Sequence, residues 1–197
     1  MSIINNLSKF LTFFTRKNKN KKNMTRKNKF NFNKSKIFTL DGKFKYSDEK
    51  YQGKSFFRKM TNDSLEKKIA EIIKKNPHDN IVTIYRIGTN YIDMELLNDD
   101  VYSIYSRSEI NKIMLPVKNF LQEIGIVYID WKPDNIGISK SKKKVKLFDF
   151  DASGIINIKT KKWEDKAPTL FAYRQAIEKG MKTPIEIDNY AFDKEFN

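Results

Sequence analysis

The chain contains no cysteine and a single histidine, His78. A disulfide scaffold, a thiolate metal site and two-histidine chemistry are therefore excluded. Glycine (7) and proline (5) are scarce among 197 residues, which rules out a collagen-like or Pro/Gly-rich low-complexity chain. No apolar run approaches the roughly 18 residues of a membrane-spanning helix. The expected setting is an intracellular, reducing compartment. Acidic side chains are missing from one region: residues 1–40 carry eleven Lys and Arg and no Asp or Glu. The other 157 residues hold 28 basic against 24 acidic side chains, so most of the formal +15 belongs to the beginning of the chain.

What is present suits a folded body. Hydrophobic residues make up 39% and aromatics 13%, too much for a wholly disordered chain. A chain near this length buries roughly 68–70% of its unfolded surface. Residues 16–36 are rich in Asn, Lys and Ser and cannot offset ordering entropy by burial, so residues 1–36 are expected to form a flexible basic arm. Within it, Ile3, Ile4, Leu7, Phe10, Leu11 and Phe14 recur at helical spacing, an amphipathic segment over 3–14. An apolar face followed by a basic run fits contact with an anionic membrane. A leader segment, a piece folded onto the body, and sequence-independent nucleic-acid binding fit the same pattern.

The body reads as an α+β domain. Ile37–Leu40, Lys43–Tyr46 and Ser55–Met60 are expected strands, and Asp63 or Ser64 caps a helix to about Lys75. Ile81–Ile87 and Asn90–Leu97 read as a hairpin around Gly88-Thr89, making an antiparallel, strand-rich first half. A long helix over Ser108–Ile124 stops at Gly125. Val127–Ile129, Ile136–Ile138 and Val145–Phe150 are further strands, followed by a helix from about Thr169 to Lys179 and an apolar segment Ile185–Phe192. The crossing between halves is expected just after Leu97.

The chemistry concentrates in Tyr128-Ile-Asp-Trp-Lys-Pro-Asp-Asn135 and Lys146-Leu-Phe-Asp-Phe-Asp151. Phosphoryl transfer needs a carboxylate to orient the acceptor hydroxyl, a cation to neutralise the moving group, and oxygen ligands for Mg²⁺. Asp130, Lys132 and Asn135 offer these in one loop, and Asp149 at a strand end offers a second metal ligand. Asp130 and Lys132 are the candidate catalytic residues, Asn135 and Asp149 the candidate metal ligands. A strand-end cap is the plain alternative for the two aspartates.

These segments resemble the protein kinases. Asp130-Trp-Lys-Pro-Asp-Asn135 matches the catalytic loop D-x-K-P-x-N, and Asp149-Phe-Asp151 stands where D-F-G would be. His78-Asp-Asn-Ile-Val82 is similar to the turn after the regulatory helix, Tyr91-Ile-Asp-Met-Glu-Leu-Leu97 to the strand entering the hinge, and Asp188-Asn-Tyr-Ala-Phe192 to the buried D-x-W-S-x segment. The resemblance covers about residues 37–192 and extends to the miniature serine/threonine kinases of large DNA viruses, which would place the protein in the host cytoplasm. It implies a two-lobed protein-kinase-like fold, with a small β-rich N-lobe at 37–97 and a truncated helical C-lobe at 98–197. It implies ATP and Mg²⁺ (or Mn²⁺) as cofactors, and a nucleotide site of Lys59, Glu66, Met94 as gatekeeper, Glu95 and Leu97. Arg58 is the alternative to Lys59, and Glu71 the alternative to Glu66. Asp188 is implied to be structural.

Departures from the family pattern carry information too. No G-x-G-x-x-G is present, Asp151 replaces the last glycine of D-F-G, and Tyr128-Ile129 replaces His-Arg before the catalytic Asp. Without that Arg, activation by loop phosphorylation is not expected, and the loop offers only Ser153 and Thr160 as hydroxyls. The short C-lobe implies a partner that covers it. Lys132-Pro133 points to a protein substrate with Ser or Thr hydroxyls. A pseudokinase acting as a binding module and a small-molecule phosphotransferase are the competing readings. His78 reads as a turn residue, and Trp131 and Trp163 as packing anchors.

Overall fold

The computed structural model describes residues 35–39, 44–47, 55–98, 101–139, 143–164, 167–168 and 171–196. The arm expected over 1–36 lies outside them apart from its last two residues. Five strands form the first sheet: β1 (Ser35–Phe38), β2 (Phe44–Ser47), β3 (Ser55–Met60), β4 (Ile84–Ile87) and β5 (Tyr91–Glu95), in the order β2-β1-β3-β5-β4. The sheet is not wholly antiparallel as expected, because β1 runs parallel to β3, with Ile37 opposite Phe56. Phe56 is fully buried in it.

Helix α1 (Ser64–Lys75) follows β3. Asp63 caps it, its carboxylate accepting from the Leu65 and Glu66 N–H groups at 2.7 and 3.3 Å. Ile69, Ala70 and Ile73 make its buried stripe with Glu66, whereas Glu71 is exposed. Each fully buried isoleucine contributes about 1.5–3 kcal/mol, which fixes the helix against the sheet.

Of two expected strands, one begins late and the other ends early, for identifiable reasons. The strand predicted over Ile81–Ile87 starts only at Ile84, because the Val82 N–H donates to the Leu147 carbonyl and Leu147 N–H to Asn80, drawing 80–82 toward the second half. The chain leaves the first sheet at Glu95; Leu97–Asn98 (β6) already pairs with Ser139 and Ile138. Helix α2 (Arg107–Glu123) opens with a capping box between Ser106 and Glu109, one residue before the predicted start. Gly125, at φ 83°, turns the chain into β7 (Ile126–Val127).

A three-residue helical turn, Pro133–Asn135, leads into β8 (Ile136–Ser139), which pairs with β9 (Val145–Leu147). The strands predicted to reach Ile129 and Phe150 stop at Val127 and Leu147. Ile129 and Asp149 lie at φ 65° and 62°, a conformation no strand accommodates. β10 (Gly154–Ile155) returns to pair with β7, then come α3 (Phe171–Glu178) and α4 (Pro184–Phe196). The predicted segment 185–192 is thus the middle of a helix, and Ile187, Asp188, Ala191 and Phe192 form its buried side. Among the described residues no helix is long and apolar enough to cross a membrane.

Candidate active site

Alternation along β3 separates Arg58 from Lys59. Arg58 makes two bonds to fully buried Asp93 across the sheet, at 2.6 and 2.8 Å, and stacks on the Tyr91 ring. Lys59 faces the other way. Its Nζ lies 2.6 Å from Glu66, 2.5 Å from Asp149 and 3.7 Å from Asp151. Burial alone would favour the neutral amine, but the charges of Asp149, Glu66 and Asp151 outweigh it and raise the Lys59 pKa. The first sheet, α1 and the strand end carrying Asp149 therefore meet at one ammonium group. Asp151, the carboxylate that replaces the last glycine of D-F-G, belongs to this cluster. Burial and the neighbouring Asp149 raise its pKa, against the opposing pull of Lys59.

The catalytic-loop candidates form a second cluster. Lys132 Nζ donates to Asp130 Oδ2 at 2.6 Å. The Asn135 amide donates to the Asp130 carbonyl at 2.9 Å and to Oδ2 at 2.8 Å. Both donors converge on Oδ2, leaving Oδ1 to accept an incoming hydroxyl. The Phe148 N–H donates to the Asn135 carbonyl at 2.9 Å, so the segment carrying Asp149 is bonded to the loop carrying Asp130. Buried Tyr128 reinforces that seam, its hydroxyl donating to the Phe148 carbonyl at 2.5 Å.

The loop is held from below. Asp188, fully buried on α4, accepts from the Ile129 N–H at 2.9 Å, the Trp131 indole N–H at 2.8 Å and the Gln122 amide at 2.7 Å. A β-branched residue at positive φ is a strained one. The bond from its own N–H to Asp188 supplies the restraint that holds Ile129 there. Trp131 therefore combines packing against Tyr128, Phe192 and Phe196 with a polar bond to the same carboxylate, a role its sequence position did not reveal.

Of the expected nucleotide-site residues, Met94 is buried opposite Phe57, and Leu97 lies over Gly137. A Cβ on Gly137 would approach Leu97 Cβ to 2.8 Å, so this close crossing requires glycine. The half-buried Glu95 side chain pairs with buried Lys146 at 2.8 Å. Lys146 was missed from the sequence, where Val-Lys-Leu reads as ordinary alternation.

The donor chemistry suits Mg²⁺. Asp149 supplies a carboxylate, and Asn135, its N–H groups spent on Asp130, has its amide oxygen to offer. Among the described residues no cluster of three or more His, Cys, Asp or Glu is arranged to hold a metal ion alone.

No family model matches the sequence, and no curated protein does. Among solved structures, the chain is similar to the Cydia pomonella granulovirus kinase PK-1, with 19% identity and a TM-score of 0.50. The match covers 76% of this chain and 59% of the viral kinase, so this chain spans well under two thirds of that protein's length. The α+β architecture, with its small sheet lobe joined to a helical half, is a protein-kinase-like fold resembling that of a viral kinase.

Proposed function

We propose that this protein is an ATP- and Mg²⁺-dependent phosphotransferase acting on Ser or Thr hydroxyls of a protein substrate. The observation that carries this reading is the convergence of Lys59 on Glu66 and Asp149, while Asp149's segment is bonded to the loop bearing Asp130, Lys132 and Asn135. A solvated strand charge or a strand-end cap would not bring these residues together from four separate segments.

In this reading Asp130 Oδ1 takes the hydrogen bond of the acceptor hydroxyl and sets its oxygen in line with the phosphorus. Lys132, bonded to the other oxygen, lies where negative charge on the transferred group can be neutralised. Lys59, kept protonated by its acidic neighbours, contacts the nucleotide phosphates, and Glu66 holds its amine in place. Asn135 and Asp149 would hold Mg²⁺, which supplies charge neutralisation at the phosphate oxygens when bound. The reaction breaks one P–O bond to the leaving nucleoside diphosphate and forms one to the acceptor oxygen, whose proton passes to Asp130.

Calorimetric titration with ATP, with and without Mg²⁺, tests the site. Asp149→Asn should weaken Mg²⁺-dependent binding by at least about tenfold, some 1.4 kcal/mol. Asp130→Asn should leave binding nearly intact. Equal loss in both variants would overturn the assignment of roles.

A further inference from the structure

A charge pair between a buried lysine and a half-buried glutamate lies behind the crossing between the two halves, away from the reacting groups. Lys146, on β9 and 3% exposed, donates to Glu95 Oε2 at 2.8 Å, to the Ile81 carbonyl at 3.1 Å and to Thr83 Oγ1 at 3.2 Å. Glu95 is the last residue of β5 and takes two more bonds, from Thr83 Oγ1 at 3.0 Å and from the Ser139 hydroxyl on β8. Its backbone N–H donates to the Thr83 carbonyl. The cluster thus draws its bonds from four different segments: the end of the first sheet, the 81–83 link, β8 and β9.

Position gives this cluster leverage on the site. Glu95 follows Met94 and precedes Leu97, the residue that packs over Gly137. Lys146 precedes Asp149 by three residues and pairs in register with Gly137. One ion pair therefore fixes the spacing between the segment where a purine would lie and the strand end that carries a metal ligand. A pair between two exposed side chains would contribute little to such a constraint, but here the lysine is buried with its bonds made, and losing the glutamate's charge would strand it.

We infer that Lys146 and Glu95 form a positioning clamp that sets nucleotide affinity without touching the nucleotide. The inference rests on the kinase reading for its nucleotide arm, and has a second arm that does not. Lys146→Met should raise the ATP Kd and KM by about tenfold or more while changing kcat less than about threefold. Lys146→Arg, which keeps charge and reach, should restore affinity to within about threefold. The Glu95→Gln/Lys146→Met double variant should bind ATP better than Lys146→Met alone, because no unpaired charge remains. In the absence of nucleotide, amide hydrogen exchange over residues 94–98 should accelerate in Lys146→Met and recover in Lys146→Arg.

If the unaltered protein binds no ATP, faster exchange in Lys146→Met upholds only the tie between residues 94–98 and β9, and it overturns both the kinase reading and the clamp's nucleotide role. Unchanged exchange and unchanged ATP affinity in Lys146→Met, with only a lower melting temperature, would overturn the clamp and leave the kinase reading standing. Should Lys146→Met fail to fold, Glu95→Gln alone carries the test: faster exchange over 94–98 with weaker ATP binding upholds the clamp, and no change in either overturns it.

Discussion

Replacing Asp188 probes how the catalytic loop is held. Its carboxylate takes three bonds, two on Oδ1 from Ile129 and Trp131 and one on Oδ2 from Gln122, in a fully buried setting. Hydrogen bonds to a charged group are worth about 1.5–3 kcal/mol each, neutral ones about 0.5–1.5. Asp188→Asn keeps one oxygen for Ile129 and Trp131, weakening two bonds by about 1 kcal/mol each. The new amide N–H₂ faces the Gln122 amide, which can turn its own oxygen inward. The expected loss is therefore about 2 kcal/mol. Asp188→Ala strands the Ile129 and Trp131 N–H groups, each costing about 1–3 kcal/mol, and removes the restraint on Ile129. A loss of about 3–6 kcal/mol follows, a large part of the roughly 5–15 kcal/mol that holds a domain folded. Urea unfolding with an unchanged m-value measures both. The Ile129 amide should exchange faster in each variant, and transfer should fall by roughly 10²-fold as Asp130 shifts. A loss below about 1 kcal/mol for Asp188→Ala would refute the reasoning, since two buried donors cannot lose their acceptor so cheaply.

Other outcomes follow from the same contacts. Lys59→Met leaves Glu66, 4% exposed, without its cation, and should cost about 3–5 kcal/mol in thermal or urea unfolding; Lys59→Met/Glu66→Gln should recover part of it. Glu95 is held below its usual 4.5: burial opposes ionisation, but the bonds from Lys146, Ser139 and Thr83 outweigh it. The unfolded chain therefore takes up that proton first, so stability present above pH 4.5 should decline as pH falls toward the lowered folded value, and Glu95→Gln should flatten that part of the acid limb. Ser153 is buried with its hydroxyl on the Tyr128 carbonyl, so phosphatase treatment and the Ser153→Ala/Thr160→Ala variant should leave the transfer rate unchanged; a tenfold drop, about 1.4 kcal/mol, would contradict this. A chain shortened to begin at Ser35 should keep its thermal transition but lose salt-sensitive binding to anionic vesicles or nucleic acid, because β1 starts there and ten cations with no acid precede it.

The elements most legible in the sequence are those fixed by local chemistry. Helix α1 declares itself through Asp63 and the Ile69–Ile73 stripe, and α2 through its period and Gly125. What escaped reading depends on partners distant along the chain. Ile81 and Val82 alternate like a strand, yet Leu147 captures them. The turns at Ile129 and Asp149 are set by tertiary bonds, so nothing in Val127–Ile129 or Val145–Phe150 announces positive φ. The gathering of Asp130, Lys132, Asn135 and Asp149 was legible, because the motif places three of them in one loop. The choice between Arg58 and Lys59 required the position of Asp93, a buried acid on the neighbouring strand. Lys146 could not be found at all, because an alternating lysine normally faces water and its burial depends on Glu95, 51 positions earlier.

The central claim is transfer of a phosphoryl group under the direction of Asp130. Incubation with γ-³²P-labelled ATP, Mg²⁺ and a generic basic protein, followed by acid hydrolysis to identify the labelled residue, tests it directly. Label on Ser or Thr with the unaltered protein, falling by about 10²–10⁴ in Asp130→Asn while ATP still binds, is the predicted result. ATP bound tightly by the unaltered protein with no label transferred to any hydroxyl would contradict it and leave a nucleotide-binding module in its place.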